Sequence, residues 1–337
     1  MTRLRQFLRR VSSQGFTADE FRRICVAALV FVAAIVVTGA AVRLSGSGLG
    51  CDDWPNCNAS SLVDVSSQHS AIEQINRLFT FVVGLAVVLA ALGAWVRRPR
   101  RRDLMLLAAA LVAGIPAQGI VGAIVVWTDL NPFAVQLHFV LSMGLVAVAV
   151  VLLMRASEPD AATRALSVSA ATARRARLLV VWTALALIAG TVVTGTGPHA
   201  GDEQAKRFTF FSITWAARLH SVVVWIAVLI AFSLLWRLRT HTADRRTLDA
   251  PLTAWVCVAI AQGAVGYLQY AQGVPAPLVG VHVALATTLW GCSVWLWWAT
   301  TKVTAPDPPP LLSVSSVGQT LHEGGQLVDG VSEERAD

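Results

Sequence analysis

Residues 261–282 read AQGAVGYLQYAQGVPAPLVGVH, and residues 117–138 read AQGIVGAIVVWTDLNPFAVQLH. The two stretches lie 144 residues apart, with Ala117/Ala261, Gln118/Gln262, Gly119/Gly263, Val121/Val265, Gly122/Gly266, Val135/Val279 and His138/His282 in register. The recurrence predicts a duplicated unit that carries a histidine at the same place in each half. In membrane proteins built from internal repeats, sites gather where the halves meet.

Composition decides what kind of unit this is. The chain has 337 residues, of which 55% are hydrophobic and only 14% charged. Apolar runs of roughly 20 residues, enough to cross a ~30 Å hydrocarbon core, fall at 22–42, 73–96, 104–126, 133–154, 178–195, 211–236, 252–271 and 277–299. Soluble cores do not use so many long apolar segments, and the alternation of a membrane barrel is absent. The expected fold is an all-α integral membrane protein with eight transmembrane helices arranged as two repeated four-helix units. A basic N-terminus (1–21) precedes the first unit (22–154), a linker (155–177) leads to the second unit (178–299), and a tail follows (300–337). The tail's PDPPP run and its serine, glycine and acidic content predict disorder.

Twenty-two of the 27 basic residues fall in 1–23, 97–103, 155–177, 237–249 and the stretch beyond 300, all on one side of the eight runs. Only Arg43, Lys206 and Arg207 lie opposite, with Arg77 and Arg218 inside spans. Lys and Arg accumulate in cytoplasmic loops, so both termini are expected there. The net charge of +7 is thus a topology signal and gives no reason to invoke nucleic acid. Arg3, Arg5, Arg9 and Arg10 form a basic patch suited to anionic lipid. The first apolar run is a full span without an A-x-A exit, so no cleavable signal peptide is expected.

The first outer loop, VRLSGSGLGCDDWPNC at 42–57, combines glycines, a Trp-Pro pair and two cysteines. Five residues separate Cys51 from Cys57 on the oxidising side, so a disulfide is expected; the other reading is a dithiol pair whose oxidation state matters. Cys25, Cys257 and Cys292 fall in apolar spans and read as small core residues.

The second span opens with AIEQINRLFTF at 71–81, which brings Glu73, Asn76 and Arg77 onto one helical face. Ionisable groups at such depth are costly and usually functional; the plainer reading is an interfacial i,i+4 ion pair. At the 144-residue offset Asn76 corresponds to His220 and Glu73 to Ala217. Thr38-Gly39 echoes Thr194-Gly195 at an offset of 156, so the first outer loop is twelve residues longer than its counterpart, and the extra length holds the cysteines.

His138, His220 and His282 each lie a few residues inside a span entered from the outer side. A lone histidine in an apolar helix is more often a hydrogen-bonded core residue. Two on facing helices are the usual way a bundle supplies both axial ligands to a haem iron. His220 and His282 are therefore predicted haem ligands. The corresponding first-half pair is Asn76 and His138, and because an amide is a poor iron ligand, that half should keep one face open for chemistry. His69 and His199 lie in outer loops, with His199 either solvated or touching a haem edge or quinone, and His241 and His322 carry no site role. Trp295, Trp297 and Trp298 mark the inner interface.

TGAAVRLSGSGLGCDDWPNC at 38–57, EQINR at 73–77, TGTGPHAG at 194–201 and the paired late histidines together resemble the haem A synthases of bacterial membranes, over roughly residues 20–300. The resemblance implies oxidation of one ring methyl of haem O to a formyl group, through successive hydroxylations with water as the oxygen source, yielding haem A for cytochrome c oxidases. It further implies a multi-pass protein of the bacterial plasma membrane, with a permanent haem b held by His220 and His282. The first half would receive haem O, with His138, Asn76 and Arg77 around it and Glu73 in the catalytic position. Cys51 and Cys57 match the family's loop cysteines. A haem O synthase and an electron acceptor are implied as partners, and the oligomeric state stays open.

Two departures stand out. Asn76 occupies a position where many relatives have histidine, and residues 196–210 lack the second cysteine pair that some carry. Arg77 and Arg218 fit either haem propionates, which a guanidinium matches in geometry, or interfacial anchoring. A dihaem electron carrier that leaves its haems unmodified is the alternative in a different class, and a haem-handling or transport protein is the third.

Overall fold

The computed structural model describes residues 10, 13, 15–160, 163–210 and 212–304. Most of the N-terminal basic patch, and the tail from 305 with His322, lie outside the described residues. Eight long helices run in order: α1 Ala18–Leu44, α2 Gln68–Val96, α3 Arg102–Trp127, α4 Pro132–Ala156, α5 Ala170–Thr196, α6 Ile213–Thr240, α7 Thr242–Ala271 and α8 Ala276–Ala299. All eight are long and apolar enough to cross a membrane. In hydrocarbon every backbone N–H and C=O must be satisfied within the segment, which leaves the helix as the solution for such runs. Phe81 (76% exposed) and Ile260 (68%) belong to an outer surface that suits lipid and not water.

Local chemistry sets the ends. Thr17 caps α1 through a box with Glu20, Asn131 accepts from Phe133 N–H ahead of Pro132 at the start of α4, and Ser212 caps α6. Two helices begin well before their apolar runs: α5 at 170 rather than 178, α7 at 242 rather than 252. Their first turns are charged, with Arg174, Arg175 and Arg177 on α5 and Asp244, Arg245, Arg246 and Asp249 on α7. Hydropathy marks the hydrocarbon slab, whereas backbone hydrogen bonding continues into the interface.

The helices close into two rings. Helix α1 packs on α2 and α4, and α3 packs on the same two; likewise α5 packs on α6 and α8, with α7 against both. Contacts of α4 with α8, α1 with α8 and α4 with α5 join the rings. Leu130 and Val274, 144 residues apart in the α3–α4 and α7–α8 turns, both adopt the left-handed backbone, with φ of 56° and 63°. The first core is built from Phe21, Val87, Leu104, Leu111 and Leu152, and the second from Leu179, Leu234, Leu248, Leu252 and Leu296.

A two-stranded pairing was not anticipated by the all-α reading. Strand β1, Thr163–Leu166, pairs antiparallel with β2, Thr301–Thr304. It straps the connection between the rings to the chain just after α8, so residues 301–304 are ordered at the start of the segment read as a disordered tail. Arg164 reinforces the strap, donating to the carbonyls of Trp298 (3.1 Å) and Thr301 (2.9 Å) with its guanidinium 3.8 Å from the Trp298 ring centroid. A short polar pairing of this kind leaves no hydropathy signature.

Candidate functional site

Fully buried side chains are not spread evenly along the rings. In the second ring none lies at 184–194 of α5, 217–226 of α6, 256–271 of α7 or 276–286 of α8, although the basic ends of the same helices are well filled. The first ring has the same gap at 75–82 of α2, 115–122 of α3 and 132–142 of α4. Protein interiors are close-packed as a rule, so the outer half of each ring is underfilled by its own side chains.

Those gaps contain the polar residues of interest. His138, His220 and His282 lie 6, 7 and 6 residues in from the outer ends of α4, α6 and α8, and Asn76 lies 8 residues in on α2. At ~1.5 Å per residue these depths are about 9–12 Å. All four are half-buried, and Nδ1 of each imidazole and Oδ1 of Asn76 are sealed without a hydrogen-bond partner. Gln118 and Gln262 each add an unpartnered buried Oε1. Among the described residues, six of the eight such atoms thus fall into three pairs 144 residues apart. Leaving a buried polar atom unpaired costs ~1–3 kcal/mol, so a cluster of them in an underfilled volume fits a bound group that the protein itself does not supply. Half-buried neutral imidazoles suit a haem iron, and His220 and His282 lie within electrostatic reach of each other.

Each imidazole rests on a glycine of the adjacent helix. A Cβ at Gly190 would stand 3.3 Å from His220 Cε1, one at Gly266 3.1 Å from His282 Cε1, and one at Gly122 3.6 Å from His138 Cε1. Gly122 and Gly266 belong to the repeat, but their role as imidazole seats was not read from the sequence, and Gly190 was missed. At the 156-residue offset Gly190 corresponds to Ala34, so the half with asparagine in place of histidine has no glycine at the matching seat.

Glu73 and Arg77 are engaged elsewhere. The Glu73 carboxylate, 6% exposed, accepts from Cys51 N–H at 2.8 Å and from Arg77 at 2.6 and 3.0 Å. Arg77 also donates to the carbonyls of Asp53 and Asn56, both at 3.0 Å. The i,i+4 pair therefore exists, and it clamps the first outer loop to α2. Cys51 and Cys57 form the expected disulfide and are both buried. Gly50 permits the clamp, since a Cβ there would sit 2.3 Å from the His69 carbonyl oxygen. Between the cysteines, Trp54 folds over α3, edge-on to Trp127 at 6.3 Å and 3.7 Å from the Cβ position of Gly119. The twelve extra residues thus lie over the mouth of the first ring only.

Arg218 is exposed beside Trp215, 6.0 Å from its ring. His199 is tied down, its Nε2 2.7 Å from the Val274 carbonyl, and His69 Nδ1 pairs with Ser47 Oγ at 2.9 Å. Arg43, read only as a topology charge, proves to be a latch between the rings: it donates to His199 O at 2.8 Å and Thr194 O at 2.9 Å.

Fold and site together define a multi-pass helical membrane protein with two histidine-bearing rings, one of them covered by a disulfide-closed loop. The chain belongs to the cytochrome oxidase assembly protein family, COX15-CtaA, whose model matches residues 22–202. That match takes in Glu73, Asn76, Arg77 and His138 and ends before His220 and His282. Among curated proteins, the chain is 32% identical over 174 residues to a Heme A synthase of Listeria monocytogenes, covering 50% of this chain and 56% of that protein. It is 33% identical over 130 residues to the Heme A synthase of Lysinibacillus sphaericus, covering 38% of this chain and 42% of that one. A Heme A synthase of Geobacillus kaustophilus is 31% identical over 121 residues. The chain spans about half the length of the curated relatives it matches.

Proposed function

We propose that this protein is a haem A synthase, an oxidoreductase that converts the ring methyl of haem O to the formyl group of haem A for cytochrome oxidase. The observation that carries the reading is the pair of underfilled outer half-rings, each holding unpartnered polar atoms at matching positions. The names of the relatives agree with it. The matched rings and the paired turns support reading them as two repeated four-helix units.

The second ring is the permanent site, with His220 and His282 as the two axial ligands of haem b. A haem held there supplies a one-electron acceptor beside the substrate. Gly190 and Gly266 let the two imidazoles lie flat against α5 and α7, which fixes their planes. The first ring takes haem O, with His138 as its imidazole ligand and Asn76 opposite, too weak a donor to close that face.

Glu73 is the only carboxylate in the outer halves of α1–α4. It takes up protons released as water oxygen is added at the methyl carbon, while Arg77 holds its charge. Trp54 and the disulfide-closed loop exclude bulk water from the mouth. Electrons leave through the second ring to an outer acceptor, and haem O arrives from the synthase that makes it. The protein sits in the bacterial cell membrane with both termini in the cytoplasm.

Co-expression with a haem O source, followed by extraction and mass analysis of the haems, tests the proposal. Appearance of haem A is expected. Recovery of unchanged haem O beside bound haem b would instead establish the dihaem carrier.

A further inference from the structure

At the basic end of the first ring, arginines are neutralised by carboxylates: Arg97 meets Asp160 at 2.9 Å, Arg101 meets Asp103 at 2.8 Å and Arg155 meets Glu158 at 2.7 Å. The second ring departs from that pattern. Arg175 on α5 and Arg237 on α6 are half-buried and line one cavity of about 550 Å³, together with Phe232, Ser233, Trp236 and Thr240. Neither is ion-paired among the described residues. Arg175 donates to Ala171 O on its own helix at 3.1 Å. Arg237 donates to Thr172 Oγ1 at 2.8 Å and Ser169 Oγ at 3.1 Å. Both hydroxyls in turn donate to Asp244 at 2.6 Å, so the carboxylate reaches Arg237 only through them.

This relay holds Arg237 in one orientation without cancelling its charge at close range. Two half-buried guanidiniums facing one cavity make an anion site, and planar N–H forks match phosphate oxygens. The rest of the wall says which anion. Leu229, Phe232 and Trp236 are 63%, 60% and 61% exposed and follow one face of α6 away from the arginines, as a chain-binding stripe would. The Phe232 and Trp236 rings lie 6.3 Å apart, and Arg239 covers Trp236 at 5.6 Å. The cavity therefore crosses from a cationic pocket to an apolar surface, whereas a free phosphate would use only the first.

We propose that the basic end of α5 and α6 binds one anionic phospholipid, its phosphate between Arg175 and Arg237 and an acyl chain along Phe232 and Leu229. Basic pockets between membrane helices are suited to such headgroups. The site is independent of the haem reading and of which leaflet it faces.

The test is native mass spectrometry of full-length protein released from bilayers of mixed phosphatidylglycerol and phosphatidylcholine. Wild type should retain one phosphatidylglycerol through a wash that strips phosphatidylcholine. Arg175→Gln removes a side chain whose one protein contact is within its own helix, and should lower that occupancy about fivefold, as expected for one interfacial arginine. Trp236→Ala should lower it as well. Equal retention of the two lipids by wild type, unchanged occupancy in Arg175→Gln, or displacement of the lipid by millimolar inorganic phosphate would each overturn the proposal. The wild-type comparison stands even if a variant folds poorly.

Discussion

Glu73 accepts a 2.8 Å hydrogen bond from the backbone N–H of Cys51, so the acid in the proposed catalytic position also holds down the disulfide-closed loop. The two roles can be separated. Glu73→Gln should keep both haems and abolish formyl production, while leaving Arg77 a partly buried, unbalanced charge at a cost of about 3 kcal/mol. Adding Arg77→Gln should recover most of that stability and none of the activity. Thermal unfolding and haem extraction on the two variants check this; full activity in Glu73→Gln would end the catalytic assignment.

The glycine seats offer a test that does not need turnover. Valine at Gly190 or Gly266 would push its methyls into an imidazole already 3.3 or 3.1 Å from the Cβ position. Both variants should remain helical and lose the visible absorption of the second-ring haem. Gly84→Ala, where a Cβ meets nothing within 4 Å, should retain it.

Removing the Cys51–Cys57 crosslink by a double replacement with serine should lower stability by about 2 kcal/mol, the chain-entropy value for so small a ring. The loss should appear as a lower unfolding temperature and as faster proteolysis near Trp54, since the carbonyls of Asp53 and Asn56 that hold Arg77 lie within that ring.

Glu158 joins the end of α4 to the strap. Burial pushes its pKa up, but hydrogen bonds from Arg155, Arg164 and Trp298 outweigh that and hold it below the usual glutamate value. A depressed folded pKa contributes stability above the unfolded pKa and loses it as pH falls through the folded one. Unfolding temperature should therefore fall on acidification below the ordinary glutamate range, and Glu158→Gln should flatten that dependence. An unchanged slope in the variant would assign the acid sensitivity elsewhere.

Much of this protein was legible in one dimension. The 144-residue recurrence, the eight apolar runs and the cysteine spacing depend only on the order of residues. Hydrocarbon imposes one secondary structure on any long apolar segment, and a short spacing between cysteines brings them together almost unaided. Less visible was what the side chains face. Glu73, Asn76 and Arg77 share a helical face in the sequence, yet Glu73 and Arg77 turn to the loop while Asn76 stays in the gap. Their direction depends on carbonyls of Asp53 and Asn56, more than twenty residues away.

The order of residues by itself determined a helical membrane protein with its histidines at a common depth, because hydropathy and helical rise are local properties. Only the tertiary structure decided that those histidines rest on glycines, that Arg43 latches the rings together, and that Arg175 and Arg237 share a cavity without a carboxylate. Each of those facts is a meeting of side chains from different helices, set by packing across the bundle.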